Sequence, residues 1–277
     1  MAPDAKRLNL LYVSDYQTND VYAYSYPQGE LRGVLAGILK DAPVQAGLCA
    51  DSAGNVFVPD SLHSSVLEYP HGSIRLANAL PDPNEYPYSC AVDPTYGDLA
   101  VINLESVTGP GSVEIYAHAG GRPRQYAYGF IYDYYFAGYD GSGNLFIDAG
   151  YDVPSEPIAF LELRRGSREL STITLDQAIA LPGGVAWDGA HIAIGDSKTS
   201  IIYRFSVASG VATEVGSTRL RESRYLAQFL LDGTTVVGAN FHGRSVGFWK
   251  YPAGGAPSKT ITGLPFPFGV ALSKATR

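Results

Sequence analysis

The sequence predicts an all-β fold, a closed β-propeller of six four-stranded antiparallel blades, from three observations. One phrase recurs along the 277 residues: a short apolar run ending in an acid, a Gly-containing turn, a second apolar strand ending in Asp or Asn, a polar loop and a third strand ending near an aromatic. The leading acids are Asp51, Asp93, Asp140, Asp188 and Asp232, with Ser273 in the sixth slot, so the spacings are 42, 47, 48, 44 and 41 residues. A period in that range with several short strands per unit marks a propeller. The residues before each acid alternate large, small, large; two positions back lie Cys49, Ala91, Gly138, Ala186, Leu230 and Ala271. Strands buried on both faces, with small residues at alternate positions, suit a crowded hub. Finally, the first strand, Leu10–Ser14, has the pattern of a second strand and the last, Pro267–Leu272, that of an innermost one. The last strand is therefore expected to join the first blade, closing the ring and removing a free edge.

Each blade reads outward from the innermost strand. The second strands are LLYVSD, VFVPD, LAVIN, LFID, IAIGD and VVGAN, ending at Asp15, Asp60, Asn103, Asp148, Asp196 and Asn240. Third strands are expected at Val21–Tyr26, Val66–Tyr69, Val113–Tyr116, Ala159–Leu163, Ile201–Phe205 and Val246–Tyr251. Tyr-Pro closes three of them at Pro27, Pro70 and Pro252, with Gly just beyond as a turn signal. Outer strands read more weakly, at Leu31–Ala36, Ile74–Ala79, Leu170–Thr174 and Lys259–Thr262. No linker or shift of composition interrupts the repeat, so residues 1–277 are read as one domain, with Trp187 among its core positions.

A net charge of −7 and a pI of about 5.2 argue against a nucleic-acid partner and against an anionic membrane surface. The apolar runs are strand-length, so no membrane span is expected. "MAPDAKR" contains no apolar h-region and reads as no signal peptide. Few lysines beside 20 Tyr and 31 Gly suit an exported bacterial protein, extracellular or periplasmic, and a monomer. Cys49 and Cys90 lie two and three positions before their acids. At a strand period of two they face opposite sides of neighbouring blades, and buried free thiols are expected.

The phrases "PYSCAVDPTYGDLAVIN", "LPGGVAWDGAHIAIGD" and "PFGVALS" resemble NHL-type repeats, and more loosely the regucalcin/gluconolactonase and strictosidine-synthase-like six-bladed propellers. The resemblance covers nearly the whole chain. It rests on the prolines entering the inner strands (Pro87, Pro182, Pro267), the inner-strand Asp, the Gly turn and the close of the second strand. These are scaffold features, so they imply the fold and no particular activity. The lactonases of that group hold a divalent cation with Glu, Asn and Asp in recognisable segments absent here; Gly183 stands where "LPGGVAWD" would need its acid. No metal ligand is carried over.

Candidate site residues are sought where the repeat is broken, because a single asymmetric ligand needs asymmetry. In each blade the inner strand starts and the second strand ends on one face, here called the entry face. The loop "QYAYGFIYDYYF" brings Tyr126, Tyr128, Tyr132, Tyr134 and Tyr135 there; Tyr86, Tyr88, Tyr225, Phe266 and Phe268 join from other blades. Gln45 and Gln228 are polar exceptions on the hub side. The expected ligand-binding set is Tyr88, Tyr134, Tyr135, Gln228, Phe268 and Gln45, an aromatic wall suited to a small molecule, a carbohydrate or a protein ligand. The alternative is a divalent-cation-dependent hydrolase, lactonase-like, or a lyase, with a cation such as calcium held by Asp15, Asp60, Asp148, Asp196 and Asn240. An Asp or Asn recurring at every second-strand end is better explained by bonds to backbone N–H groups of its own turn, so no cofactor is expected. Asp152 with Glu156, Glu105, His63, His242 and the cluster Arg219, Arg221 and Arg224 also reach the entry face and are read as solvated loop residues. The opposite face carries short Gly turns explained by strand reversal.

Overall fold

A computed structural model describes residues 1–38, 46–151 and 158–276. The described residues form strands, with two single-turn 3-10 segments at Ala5–Arg7 and Ala117–Ala119. In chain order they are β1 (Leu10–Asp15), β2 (Val21–Ser25), β3 (Leu31–Leu35), β4 (Cys49–Ala50), β5 (Val56–Asp60), β6 (Ser65–Tyr69), β7 (Asn78–Pro81), β8 (Glu85–Val92), β9 (Leu99–Ser106), β10 (Gly109–Tyr116), β11 (Arg124–Tyr126) and β12 (Asp133–Tyr139). They continue as β13 (Leu145–Gly150), β14 (Ala159–Leu163), β15 (Ser171–Leu175), β16 (Pro182–Trp187), β17 (Ile192–Asp196), β18 (Ile201–Ala208), β19 (Val211–Arg219), β20 (Leu226–Asp232), β21 (Thr235–Asn240), β22 (Ser245–Lys250), β23 (Lys259–Thr262) and β24 (Pro267–Ser273). Consecutive strands pair antiparallel as meanders in four four-stranded sheets and one eight-stranded sheet. In the eight-stranded sheet, β12–β15 and β16–β19 meet along their outer strands through a parallel pairing of Thr174 with Val211 and Leu175 with Ala212. That contact covers two sheet edges that would otherwise face water.

The sheets are arranged as a ring. Inner strands touch in the cyclic order β4, β8, β12, β16, β20, β24 and back to β4. The ring closes through β24, which pairs antiparallel with β1 from Leu10–Ser273 to Asp15–Pro267. Close approach at the hub depends on missing side chains. A Cβ on Gly138 of β12 would lie 2.6 Å from the Val185 carbonyl oxygen of β16. Polar side chains then tie sheets together: the Ser14 hydroxyl donates to the Ala46 carbonyl at 2.6 Å and the Ser89 hydroxyl to the Tyr135 carbonyl at 2.6 Å.

Three expectations are corrected. Cys49 and Cys90 form a disulfide, their Cα atoms 5.5 Å apart, and no free cysteine is present among the described residues. They do point to opposite sides of their own sheets, but successive sheets pack face to face, so opposite sides of neighbours are the ones that meet. Between those faces lies a cluster that includes Phe57, Val66, Leu80, Leu99, Val101 and Tyr116. The outer strand expected at Ile74–Ala79 is Asn78–Pro81, because pairing runs from Ser65–Pro81 to Glu68–Asn78; Ile74 and Leu76 are exposed. Trp187 is half-buried at the rim, and Trp249 is the largest fully buried ring.

Candidate functional site

Rings from four meanders converge on the entry face. Tyr88 of β8 lies 5.9 Å from Tyr135 and 5.4 Å from Phe136 of β12, and 5.4 Å from Phe268 of β24. The cluster continues from Phe268 to Phe241 at 6.2 Å, and from Phe241 to Phe266, Tyr225 and Tyr16. Tyr88, Phe136 and Phe268 are buried, so these rings fill the hub. Burial drives the Tyr88 hydroxyl well above the usual tyrosine range, reinforced by Tyr225, Asp148, Tyr135 and Asp133 around it. Tyr135 is raised likewise, by burial and by Asp133, whose carboxylate accepts its hydroxyl at 3.1 Å. Asp148 is fully buried and raised to about 7 by that burial, against the backbone N–H groups of Phe136 and Gly183.

The structure therefore brings together Tyr88, Tyr135 and Phe268 and separates them from Tyr134. Neighbours in one strand point to opposite faces, so Tyr134 is buried among Ile102, Val113 and Leu161 and accepts the Tyr128 N–H at 2.7 Å. Gln228 sits near the hub with its amide engaged by protein. Its Oε1 accepts the N–H groups of Leu48 (3.0 Å) and Val270 (2.8 Å), and its Nε2 donates to the Leu48 carbonyl at 2.9 Å. It braces β20 against β24 and the segment leading into β4. Gln45, Asp152 and Glu156 lie outside the described residues.

The second-strand acids share one geometry. Inner strands β12, β16, β20 and β24 bulge at their entry end, and an acid or amide opposite accepts an N–H of the incoming chain. Asp15 receives Phe266 at 2.8 Å, Asp148 Phe136 at 2.6 Å, Asp196 Ala180 at 3.2 Å and Asn240 Arg224 at 2.8 Å. Asp15 and Asp196 also cap their own turns, at Gln17 and Thr18 and at Lys198 and Thr199. Buried N–H groups freed by the bulges need these acceptors. Asp60 instead meets His63 Nδ1 at 2.8 Å. His242 packs on Tyr225 and Phe241. With Glu222, Arg224 and Arg244 it lines a cavity of about 560 Å³ that extends to β22 and β23. Arg221 gives its carbonyl to Trp249 Nε1 at 3.0 Å. Among the described residues no group of three or more His, Cys, Asp or Glu side chains is placed to hold a metal ion.

Sequence reasoning missed a buried acidic cluster in the third meander. Asp82, Glu85 and Glu114 are all buried, with Tyr116 Oη 3.4 Å from both Asp82 Oδ1 and Glu114 Oε2, and Gln125 Nε2 donating to Glu85 at 2.7 Å. Burial, then the neighbouring Glu114 and Glu85, raises Asp82; burial and Glu114 raise Glu85 to about 7. Asp82 and Glu85 are three residues apart, but Glu114 lies far along the sequence and reaches them only through the β8–β9–β10 meander. A carboxyl raised in the folded state holds its proton where the unfolded chain has lost it, so its stabilising contribution disappears as pH rises through the folded value. Stability is expected to fall from the ordinary carboxylate range near pH 4 up to about pH 9, most steeply below about pH 7 where Glu85 and Asp82 both contribute, and to fall less in Asp82→Asn, which keeps the shape of the protonated acid. Thermal melts across that range test this; parallel curves for the two proteins count against it.

No family model matches the chain, and no curated protein matches it in sequence. Among solved structures it is similar to a chain in the crystal structure of a nidogen/laminin complex, at 12% identity and a TM-score of 0.76, over 97% of this chain and 100% of that one. At that identity the likeness shows the fold, a β-propeller.

Proposed function

We propose that this chain is a six-bladed propeller of NHL-like repeats, a single domain, that binds a partner on its aromatic entry face. The eight-stranded sheet counts as two blades meeting along their outer strands. The observation that carries the reading is exposed aromatic surface in the entry-face loops that surround the buried hub rings. Phe130 is 79% exposed and packs on Tyr128 in the loop leading to β12; Tyr86, two residues before Tyr88, is 38% exposed. Rings held by a rigid scaffold give contact area at little entropic cost. Because the cluster fills the hub, the surface suits a protein or carbohydrate partner more than an enclosed small molecule. The similar solved chain comes from a nidogen/laminin complex, which also favours docking of a partner. The disulfide favours an oxidising, extracellular setting.

Parallel screens of wild type, Phe130→Ser and Tyr135→Ala against one glycan array and one panel of extracellular protein domains test the reading. Binders of the wild type are expected to weaken at least about tenfold with Phe130→Ser, the range of an interface hot spot. Binders retained by both variants place the site elsewhere. The cation-dependent alternative has one observation in its favour: buried Asp60 Oδ1 and Asp148 Oδ2 accept no hydrogen bond among the described residues. Calcium and chelator are expected to leave Tm unchanged; a metal present at 100 times its Kd would add about 2.7 kcal/mol.

A further inference from the structure

The face opposite the aromatic mouth carries a groove between the third and fourth meanders. It encloses about 560 Å³ and is lined by the turn after β8, the segment leading into β11 and the turn between β14 and β15. Arg122, Arg124, Arg164 and Arg165 all line it, against two carboxylates, Asp93 and Asp98. In a chain with 27 acidic and 20 basic residues, four arginines on one groove reverse the local charge.

The carboxylates offset part of that charge, and they leave Arg122 and Arg124 without an ion pair among the described residues. Asp93 Oδ1 accepts the N–H groups of Thr95 (2.8 Å) and Tyr96 (3.1 Å), and Asp98 Oδ1 accepts that of His118 (3.0 Å). The guanidinium carbon of Arg165 sits over Tyr96, 3.0 Å from the ring centroid, with a guanidinium nitrogen 3.9 Å from Asp93. Arg164 Nε donates to Glu162 at 3.0 Å. Arg122 and Arg124 are exposed and make no ion pair among the described residues. The floor is apolar: Ile115, Leu145 and Leu163, with the rings of Tyr126 and Tyr139 beside them. Arg124 and Tyr126, two apart in β11, share one side of their strand.

We infer that this groove binds an organic anion, a carboxylate or phosphate monoester on a flat apolar body, with the oxyanion held by Arg122 and Arg124. The volume falls within the range of small-molecule sites, roughly 300–1,000 Å³. Every cation in the lining is an arginine, whose planar fork matches a two-oxygen anion as lysine does not. The site is separate from the aromatic mouth and goes beyond the partner-binding reading.

Titration calorimetry with three naphthalene probes tests it: 2-naphthoate, 2-naphthyl phosphate and neutral 2-naphthol. One or both anions are expected to bind at least about tenfold more tightly than the naphthol, the scale of a charge-assisted hydrogen bond. Whichever anion binds more tightly identifies the head group. Arg122→Ala/Arg124→Ala is expected to remove the preference for the anion, and Arg122→Lys/Arg124→Lys to restore part of it. Phe130→Ser, on the other face, is expected to bind the anions as wild type does. The inference is overturned if neither anion binds, if naphthol binds equally well, or if the double alanine variant keeps the preference. Loss of anion binding in Phe130→Ser would assign the anions to the mouth and likewise overturn it. The two alanine positions are exposed side chains, and an unchanged melting curve verifies that the variant is folded.

Discussion

Deletion of residues 265–277 is expected to abolish cooperative unfolding. The deleted segment contains β24, whose pairing with β1 closes the ring. Its loss uncovers Leu11 and Val13 and removes Phe268 and Val270, all of which are buried in one cluster. Burial of Phe268 and Val270 alone contributes roughly 3–6 kcal/mol, against a total stability of about 5–15 kcal/mol for a domain. The deletion also strips Asp15 of the Phe266 N–H and Gln228 of the Val270 N–H. Calorimetry is expected to show a broad, weak transition. A permuted chain, with the same segment moved ahead of Leu10 on a short linker, is expected to recover a sharp one. A sharp transition in the simple deletion would mean that the remaining sheets hold themselves together without the closing strand.

The strand pairing behind that expectation was legible because it depends on periodicity. The acid-turn-acid phrase fixed where strands begin and end, and the small residues two before each acid marked the strands crowding the hub. The roles of single side chains were less legible, because they depend on which face meets which. Tyr134 and Tyr135 are adjacent in sequence, yet alternation sends one between sheets and the other into the hub cluster. Gln228 looked like a ligand contact because it breaks the repeat; its amide in fact bonds two other segments of the hub. The repeated Asp and Asn were expected to accept N–H groups of their own turns; Asp15 and Asp196 do so, whereas Asp148 and Asn240 accept from Phe136 and Arg224. What the sequence did not foreshadow was their principal donor, the chain entering the neighbouring bulged strand. The Arg groove escaped notice for a different reason. Its residues come from turns between Asp93 and Ser167, each accounted for locally by strand reversal. Only the packing of two sheets makes them one surface.

The same face-to-face packing makes the Cys49–Cys90 bond a major contributor to stability. It links residues 41 apart, and closing a loop of that length in the unfolded chain corresponds to about 4 kcal/mol on the chain-entropy estimate. Measured losses on removing native disulfides run at about 2–5 kcal/mol. For a chain of this size each kcal/mol moves Tm by about 2–4 °C, so Cys49→Ala/Cys90→Ala is expected to melt roughly 5–15 °C below wild type. Two effects are mixed in that variant, the lost cross-link and the space left by two sulfurs among Phe57, Leu80 and Val101. Reduced wild type separates them, because its thiols still fill the interface. If the cross-link dominates, the reduced protein melts close to the double variant; if packing dominates, it melts close to the oxidised protein. Two thiols titrating in denaturant without reductant, in protein prepared under oxidising conditions, would show that the bond does not form and remove this stabilisation altogether.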